Sequence, residues 1–359
     1  MKKFIQSLFL FSIPIIVVVG AFIYMDLFEV IWHYDNYYST NNYVGVNRGY
    51  VTTMVYKHNK DKYKFDSFIF GNSRSLAYIG AEWKDFLPNS SVCYHYDESS
   101  GSVSGVYHKI KFINDHDGEL KNALLVIDPE LLSNYDLDGH LFIIPPQIVD
   151  YKNVITFYKE HLLAFTNLRF LRAYIDYRIS KKYKKYMGSF IHEYVNSENK
   201  GDHSHNYIDP INNDAYRFEQ DSLIRIGKYY TEERTAVFKN MQHPDSIYPA
   251  FIDEKRAKLL QQIKTLFNKH NTNYRIVISP LYNQIQINPK DLQFLNRTFG
   301  KENVFNFSGK NKWNLDYHNY YEQSHYRPTV ANEVMKIIYG RIDSIKDRSQ
   351  LYKSTRKAQ

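Results

Sequence analysis

Cysteine is almost absent from this chain, which has a single one, Cys93, in 359 residues. One thiol excludes an intramolecular disulfide framework and any multi-cysteine metal site, and we expect neither a metal nor another cofactor. Tryptophan is also scarce, with 3 residues against 33 tyrosines. Hydrophobic residues make up 43% of the chain and charged residues 23%, which is typical of a globular protein with a sizeable core.

Nucleic-acid-binding motifs are absent as well, although the formal net charge is +8. A basic protein without such a motif favours other anionic partners, such as anionic lipid or an acidic glycan. We therefore expect no nucleic acid among its partners.

Long apolar runs are missing except for one at the N-terminus. Residues 4–28 contain no charged side chain before Asp26, and Lys2 and Lys3 precede them. About 20 such residues can cross a bilayer, with the basic end in the cytoplasm. A cleaved signal peptide is the alternative, but no small-x-small site follows cleanly. We predict a transmembrane anchor in residues 1–28 and an extracytoplasmic main domain, periplasmic in a bacterium.

Residues 29–63 are polar and rich in Tyr and Asn, and they predict an irregular connector. From residue 64 the pattern alternates between short apolar runs and helical segments. The five apolar runs are residues 65–70, 91–96, 123–127, 274–278 and 304–307. This alternation predicts an α/β domain over residues 64–345, with a doubly wound, flavodoxin-like, mostly parallel five-stranded sheet and a polar tail at 346–359.

An insertion of about residues 132–249 interrupts this alternation. Residues 151–186 are mainly helical in pattern, and residues 196–213 are polar and predict an exposed loop. The helical part ends in a basic cluster, which is either a solvated face or a contact for anionic glycan or lipid; its members are Arg178, Lys181, Lys182, Lys184 and Lys185. We expect the insertion to form a lid or groove wall beside the site.

The candidate nucleophile is Ser73, which follows an apolar run and Gly71. A nucleophilic serine needs a tight turn at a strand end, with backbone N–H groups nearby. Here Gly71 provides the bend, and a helix-compatible stretch follows up to Leu87. The alternative is that Ser73 only caps this helix, and Ser75 is expected on the helix surface.

The candidate general base is His325, and Glu322 precedes it by three residues. This spacing lets a carboxylate reach one imidazole nitrogen while the other nitrogen faces a serine. A second acid–histidine pair, Asp202 and His205, lies in the polar insertion, where we expect it to decorate a loop.

The order of the two motifs along the chain, and their positions after the first strand and before the last helix, resemble the SGNH (GDSL-like) hydrolase superfamily. Gly71-Asn72-Ser73 is similar to its first block, and Glu322-x-x-His325-Tyr326 is similar to its last block in membrane-anchored relatives such as the teichoic-acid D-alanylation and alginate acetylation proteins. The resemblance implies a Ser73–His325–Glu322 triad, with Asn72 and Tyr326 as auxiliary or substrate-binding residues. Most members have aspartate where this chain has Glu322, so Asp316 is the fallback acid.

The resemblance also implies an oxyanion hole from the backbone N–H groups of Arg74 and Gly101, with Gly105 as an alternative. The third family block, a strand ending in Gly-x-Asn-Asp, is missing. The corresponding strand ends in Asp128, for which substrate binding, orientation of Arg74 and proton transfer are all open.

Two functions follow from the resemblance as expectations. The first is a serine esterase or O-acyltransferase that moves an acyl group, most simply O-acetyl, on a cell-envelope polysaccharide through a Ser73 acyl-enzyme. For this function the resemblance implies a multispanning membrane-bound O-acyltransferase as a candidate partner. The second is a catalytically weak or inactive glycan-binding or envelope-assembly protein of the same fold.

Overall fold

The computed structural model describes residues 1–38, 44–134, 141–191, 197 and 199–340. The strands are β1 (Ser67–Gly71), β2 (Cys93–Asp97), β3 (Asn122–Ile127), β4 (Tyr207–Ile208), β5 (Ala215–Tyr216), β6 (Asn273–Ile278), β7 (Val304–Asn306), β8 (Tyr320–Glu322) and β9 (His325–Tyr326). The α-helices are α1 (Lys2–Met25), α2 (Arg48–Tyr63), α3 (Gly80–Trp83), α4 (Val103–Asp115), α5 (Pro129–Ser133), α6 (Val154–Phe165), α7 (Leu168–Ser180), α8 (Phe218–Arg225), α9 (Glu232–Ala236), α10 (Glu254–Lys269), α11 (Pro289–Phe299) and α12 (Pro328–Ile338). Short 3-10 helices lie at Ser73–Ala77, Lys84–Phe86, Pro146–Ile148, Lys185–Phe190, Lys301–Asn303 and Tyr317–Asn319.

The centre of the fold is a five-stranded, all-parallel sheet with the strand order β2-β1-β3-β6-β7. With the two small hairpins β4–β5 and β8–β9 set aside, this order is the flavodoxin-like 2-1-3-4-5 order. The predicted α/β class and the five predicted strands are confirmed.

Both faces of the sheet are covered, as in a doubly wound fold. Alternate residues of a strand point to opposite faces, so Phe68 and Phe70 of β1 join a core with α2, α4 and α10. Ile69 between them joins a second core with α12 and Trp83 of α3. The strands are buried throughout because helices lie on both sides.

The predicted connector is wrong for residues 48–63, which form the helix α2. Tyr50, Val51 and Tyr56 of α2 are buried in the core, and the Tyr94 hydroxyl of β2 donates to the Thr52 carbonyl at 2.5 Å. The sequence concealed this helix because its buried positions carry Tyr and Thr, which do not form an apolar stripe. Hydroxyl groups satisfied by backbone carbonyls make such residues compatible with burial.

The helix-compatible stretch after Gly71 is also different from the prediction. It forms a 3-10 helix at Ser73–Ala77, the four-residue α3 and a second 3-10 helix at Lys84–Phe86. At the C-terminus, α12 ends at Ile338, and residues 341–359, including the predicted tail, lie outside the described residues.

The predicted anchor is helical, since α1 covers 24 residues. The side chains at positions 2, 3, 5, 6 and 8 lie outside the described residues. In the part of the chain that the structure does describe, no helix combines the length and apolarity needed to cross a membrane, so the predicted transmembrane helix at 1–28 is not confirmed.

Part of the insertion forms hydrogen bonds with the edge strand β2, which the sequence did not predict. The His95 N–H of β2 donates to the Asn212 carbonyl at 2.9 Å, and the Asn213 amide donates back to the His95 carbonyl at 2.6 Å. Asn213 and Asp214 are fully buried, so the prediction of an exposed loop is wrong for this part. The helical pattern predicted for residues 151–186 is confirmed by α6 and α7.

A buried ion pair joins α2 to the end of β2. Arg48 forms hydrogen bonds with both carboxylate oxygens of Asp97, which is completely buried. Replacing Arg48 with Met leaves that carboxylate buried without its partner, which costs about 3–5 kcal/mol in comparable cases.

We therefore expect Arg48→Met to lower the free energy of unfolding, measured by urea denaturation, by about 3–5 kcal/mol. Lys60→Ala is the matched control on the same helix, because Lys60 pairs with the exposed Asp61 and such pairs contribute about 0–1 kcal/mol. Equal losses in the two variants would contradict the structural role of the buried pair.

Candidate active site

The turn after β1 requires glycine at its first position. A Cβ atom on Gly71 would lie 2.9 Å from the Val126 carbonyl oxygen and 2.9 Å from the Ser75 Cβ, closer than real Cβ contacts allow. The 3-10 helix starts at the next residues, and the Asn72 side chain caps it by accepting from the Arg74 N–H at 3.1 Å. Asn72 is therefore the cap, and the alternative that Ser73 serves only as a cap is wrong.

Ser75 is buried under this turn and forms hydrogen bonds that fix it. The prediction that Ser75 lies on a helix surface is wrong. Its hydroxyl donates to the Asn72 carbonyl at 2.7 Å and lies 3.1 Å from His95 Nε2. Because the Ser75 proton is used in the first bond, His95 Nε2 must donate in the second. His95 is fully buried on β2, so the neighbouring strand fixes the turn that carries Ser73.

The structure brings the three predicted triad residues together. His325 Nε2 lies 2.8 Å from the Ser73 hydroxyl oxygen, and His325 Nδ1 forms a hydrogen bond with a carboxylate oxygen of Glu322. The hairpin β8–β9 makes this possible, since Glu322 and His325 are paired across it. A nucleophile, a base and an orienting acid in one chain of hydrogen bonds is the arrangement of a serine hydrolase triad.

The carboxylate of Glu322 is held ionised. Burial opposes ionisation, but the hydrogen bond and charge of His325 outweigh it, and the backbone N–H and hydroxyl of Ser324 donate to the same carboxylate at 2.9 Å. These contacts lower the pKa of Glu322 to about 2. The hairpin turn thus accommodates glutamate, with its extra methylene, as the hydrogen-bond partner of His325.

Arg74 and Asp128 form a second charged group beside the nucleophile. The Arg74 guanidinium lies 3.5 Å from a carboxylate oxygen of the buried Asp128 and also binds Glu130. Asp128 caps α5 by accepting from the Leu131 N–H at 2.9 Å. Of the three roles left open for Asp128, orientation of Arg74 fits these contacts.

The predicted oxyanion donors are not assembled as expected. The Arg74 N–H is engaged by Asn72 Oδ1, and Gly101 is not among the residues that line the cleft at Ser73. Gly101 and Gly105 instead leave room for Glu98, whose carboxylate oxygens would lie 2.8 Å and 2.0 Å from Cβ atoms on the two glycines. Within the described residues, the buried Asn72 Nδ2 has no hydrogen-bond partner, so a free donor exists directly before the nucleophile.

Tyr326 and Asp316 each form hydrogen bonds with residues outside the Ser73–His325–Glu322 group. The Tyr326 hydroxyl lies 3.2 Å from the Ser279 hydroxyl oxygen, and burial raises the pKa of Tyr326 to about 12, so the phenol stays neutral. Asp316 accepts from the N–H and from Nδ1 of His318, at 2.9 and 2.6 Å. Asp316 is exposed and bound to another histidine, so it is not the acid that orients His325.

A cleft opens at Ser73 and His325, and the insertion forms one wall of it. Ala215 and Arg217 of the insertion, together with Tyr321, line this cleft with Ser73 and His325. The Arg217 guanidinium lies over the Tyr321 ring, 4.9 Å from its centre. Arg217 and Tyr321 carry no sequence motif, so only the packing of the insertion could reveal them.

Two groups of acidic and histidine side chains that could bind a metal ion lie outside this cleft. In the described ranges, the one cluster with suitable spacing is His33, Asp35 and His58, which are exposed and belong to the segment before α2 and to α2 itself. Asp202 and His205 form an exposed pair at 3.1 Å, as expected of a loop. Neither group lines the cleft at Ser73.

Comparisons of the chain with family models and with curated proteins found no match. The resemblance to the SGNH superfamily therefore rests on the motifs at Ser73 and His325 and on the geometry described above.

The depressed pKa of Glu322 predicts a pH dependence of stability. A carboxyl whose pKa falls from its ordinary 4.5 to about 2 on folding stabilises the folded protein above pH 4.5, and this contribution disappears as the pH falls through about 2. We expect the stability difference between the wild type and Glu322→Gln, measured by denaturant unfolding at several pH values, to shrink across this window. A constant difference between pH 7 and pH 2 would contradict an ionised, histidine-bound Glu322.

Proposed function

We propose that this protein is a serine-dependent esterase or O-acyltransferase that works through a Ser73 acyl-enzyme. The observation that carries the proposal is the continuous chain of hydrogen bonds from Glu322 through His325 to the Ser73 hydroxyl. A structural role requires no such alignment of three polar side chains at the opening of a cleft. General-base activation of a hydroxyl does require it.

The first half of the reaction transfers the acyl group to the enzyme. Ser73 Oγ attacks the acyl carbonyl carbon while its proton passes to His325 Nε2, giving a tetrahedral oxyanion. Collapse of this intermediate breaks the bond to the leaving oxygen, which takes the proton from His325. Glu322 keeps His325 Nδ1 protonated and stabilises the imidazolium that forms in between.

The second half releases the acyl group. Water or a sugar hydroxyl gives its proton to His325 and attacks the Ser73 ester, and the returning proton restores the serine. Water as acceptor makes the enzyme an esterase, and a sugar hydroxyl makes it a transferase. The chemistry of Ser73 and His325 is the same in both cases.

The residues that line the cleft are compatible with a small acyl group on a polar carrier. They include the apolar side chains of Ala77 and Pro328 as well as Arg217 and Tyr321. An acetyl group suits the apolar side chains, and a sugar can stack on an aromatic ring and bind a guanidinium. We therefore propose an O-acetylated cell-envelope polysaccharide as substrate, and a multispanning membrane-bound O-acyltransferase as the acyl-supplying partner.

One observation favours the second candidate, a glycan-binding or envelope-assembly protein with weak or no catalysis. The Arg74 N–H is already bound to Asn72, and Gly101 faces Glu98 and not the cleft. Without preorganised donors the oxyanion would be poorly stabilised, and loss of one such donor costs about a hundredfold to a thousandfold in rate. Asn72 Nδ2 is a donor without a partner among the described residues, but Asn72 is buried and, like Gly101, does not line the cleft.

Triad variants test the proposal with an acetyl ester as substrate. Ser73→Ala and His325→Ala should each lower kcat by about a thousandfold or more, and the double variant should be no worse, because the residues act as a unit. Glu322→Gln should lose less, since some correctly oriented histidine remains. A fluorophosphonate probe should label Ser73.

The exposed Ser204, His205 and Asp202 provide a matched control, because the Ser204 hydroxyl oxygen lies 2.8 Å from His205 Nδ1 and His205 pairs with Asp202. Ser204→Ala and His205→Ala should leave kcat unchanged. A folded Ser73→Ala variant with wild-type activity would refute the acyl-enzyme, and a folded wild type that reacts with no probe would favour the glycan-binding alternative.

A further inference from the structure

The outer face of α7 is apolar although it is exposed. Leu168, Ile175 and Ile179 are 81%, 53% and 79% exposed. Their spacing of seven and four residues places them on one face of the helix. Arg172, four residues after Leu168, belongs to the same face and is exposed. Phe170 and Ala173 occupy the buried side.

The neighbouring helix α6 also has apolar residues on both an exposed side and a buried side. Ile155 and Leu163 are exposed, whereas Phe157 and Phe165 are buried. The buried sides pack on the end of α1: the ring of Phe165 lies 5.7 Å from that of Phe22. The inner faces of α6 and α7 thus pack on the protein, and none of the described residues covers the exposed side chains of their outer faces.

The helix α1, whose end packs against α6, carries further exposed apolar residues. Phe11, Ile15 and Ile16 of this helix are exposed by more than half, and they precede the residues that pack against α6. Isolated exposed apolar residues are ordinary on soluble proteins, but a contiguous group on adjacent elements indicates an interaction surface.

Positive charge is concentrated in the same segment. Residues 151–190 contain nine Lys and Arg residues and two acidic residues, a net charge of +7 out of +8 for the chain. One of the two acids, Asp176, is bound by Lys184 at 2.7 Å. The outer face of α7 therefore combines exposed apolar side chains with Arg172, and four lysines follow the helix at residues 181–185.

We propose that the outer faces of α6 and α7 lie on the surface of a lipid bilayer that contains anionic headgroups. Helices that lie in a membrane interface have this composition, with apolar side chains inserted at the headgroup boundary and Lys or Arg bound to lipid phosphates. A second copy of the chain fits less well, because two such faces would bring like charges together. This inference does not depend on the proposed catalytic function.

Site-specific labelling of the full chain tests this contact. Cys93 is the single native thiol and is buried, and burial raises its pKa to about 12, so it reacts poorly. An environment-sensitive fluorophore can therefore be attached at Ile175→Cys, with Ile247→Cys as control, since both isoleucines are 53% exposed. The full chain is reconstituted with vesicles of phosphatidylcholine and about one third phosphatidylglycerol.

We expect bromine-labelled acyl chains in these vesicles to quench the fluorophore at position 175 and not the one at 247. Equal quenching, or none, at both positions would overturn the proposal, because α1 alone could then account for any membrane contact. The equilibrium constant for this contact, obtained from quenching at 175 as the fraction of anionic lipid is varied, should fall about fivefold for each cation removed by Arg169→Gln and Arg172→Gln.

A comparison of neutral and anionic vesicles tests whether the contact depends on anionic headgroups. Vesicles of phosphatidylcholine alone should give much weaker quenching at position 175, and circular dichroism should show that the arginine variants keep their fold. Quenching that is equal on neutral and anionic vesicles would overturn the anionic-lipid assignment. A label signal that changes with protein concentration at constant lipid would identify a second copy of the chain as the occupant.

Discussion

The hydrogen bonds beneath the turn at the end of β1 are the constraint on which the candidate site depends. Gly71 permits the close approach to Val126, and Ser75 ties the turn to the Asn72 carbonyl and to the buried His95. Ser73 projects into the cleft because its neighbours on both sides are fixed. Ser73 therefore needs no rearrangement to meet His325, which is the preorganisation that the proposed acyl transfer requires.

The insertion and α2 both form hydrogen bonds with the carboxyl-terminal end of β2. Asn213 lies fully buried against β2 and bonds to the His95 carbonyl and to Asp97, while Arg48 of α2 binds Asp97 from the other side. The segment that lines the cleft with Arg217 follows directly. The Asn212 carbonyl and the Asn213 side chain of the insertion thus supply hydrogen bonds that the edge strand β2 would otherwise lack.

The chemistry and the proposed membrane contact occupy different parts of the chain. The triad lies at the carboxyl ends of parallel strands, where such folds collect reactive groups. The α6–α7 surface is carried by the insertion, which also supplies a wall of the cleft through residues 215 and 217.

The sequence by itself determined the α/β alternation and the two blocks that carry Ser73 and His325, because strand periodicity and turn chemistry are local properties of the chain. It could not reveal α2, whose buried face is built from Tyr and Thr, nor the burial of Asn213. Only the tertiary structure decided that Glu322 and not Asp316 orients His325, because the β8–β9 hairpin pairs residues 322 and 325 while Asp316 is held by His318. The same holds for Gly101, whose place beside Glu98 follows from packing between elements and not from any spacing along the chain.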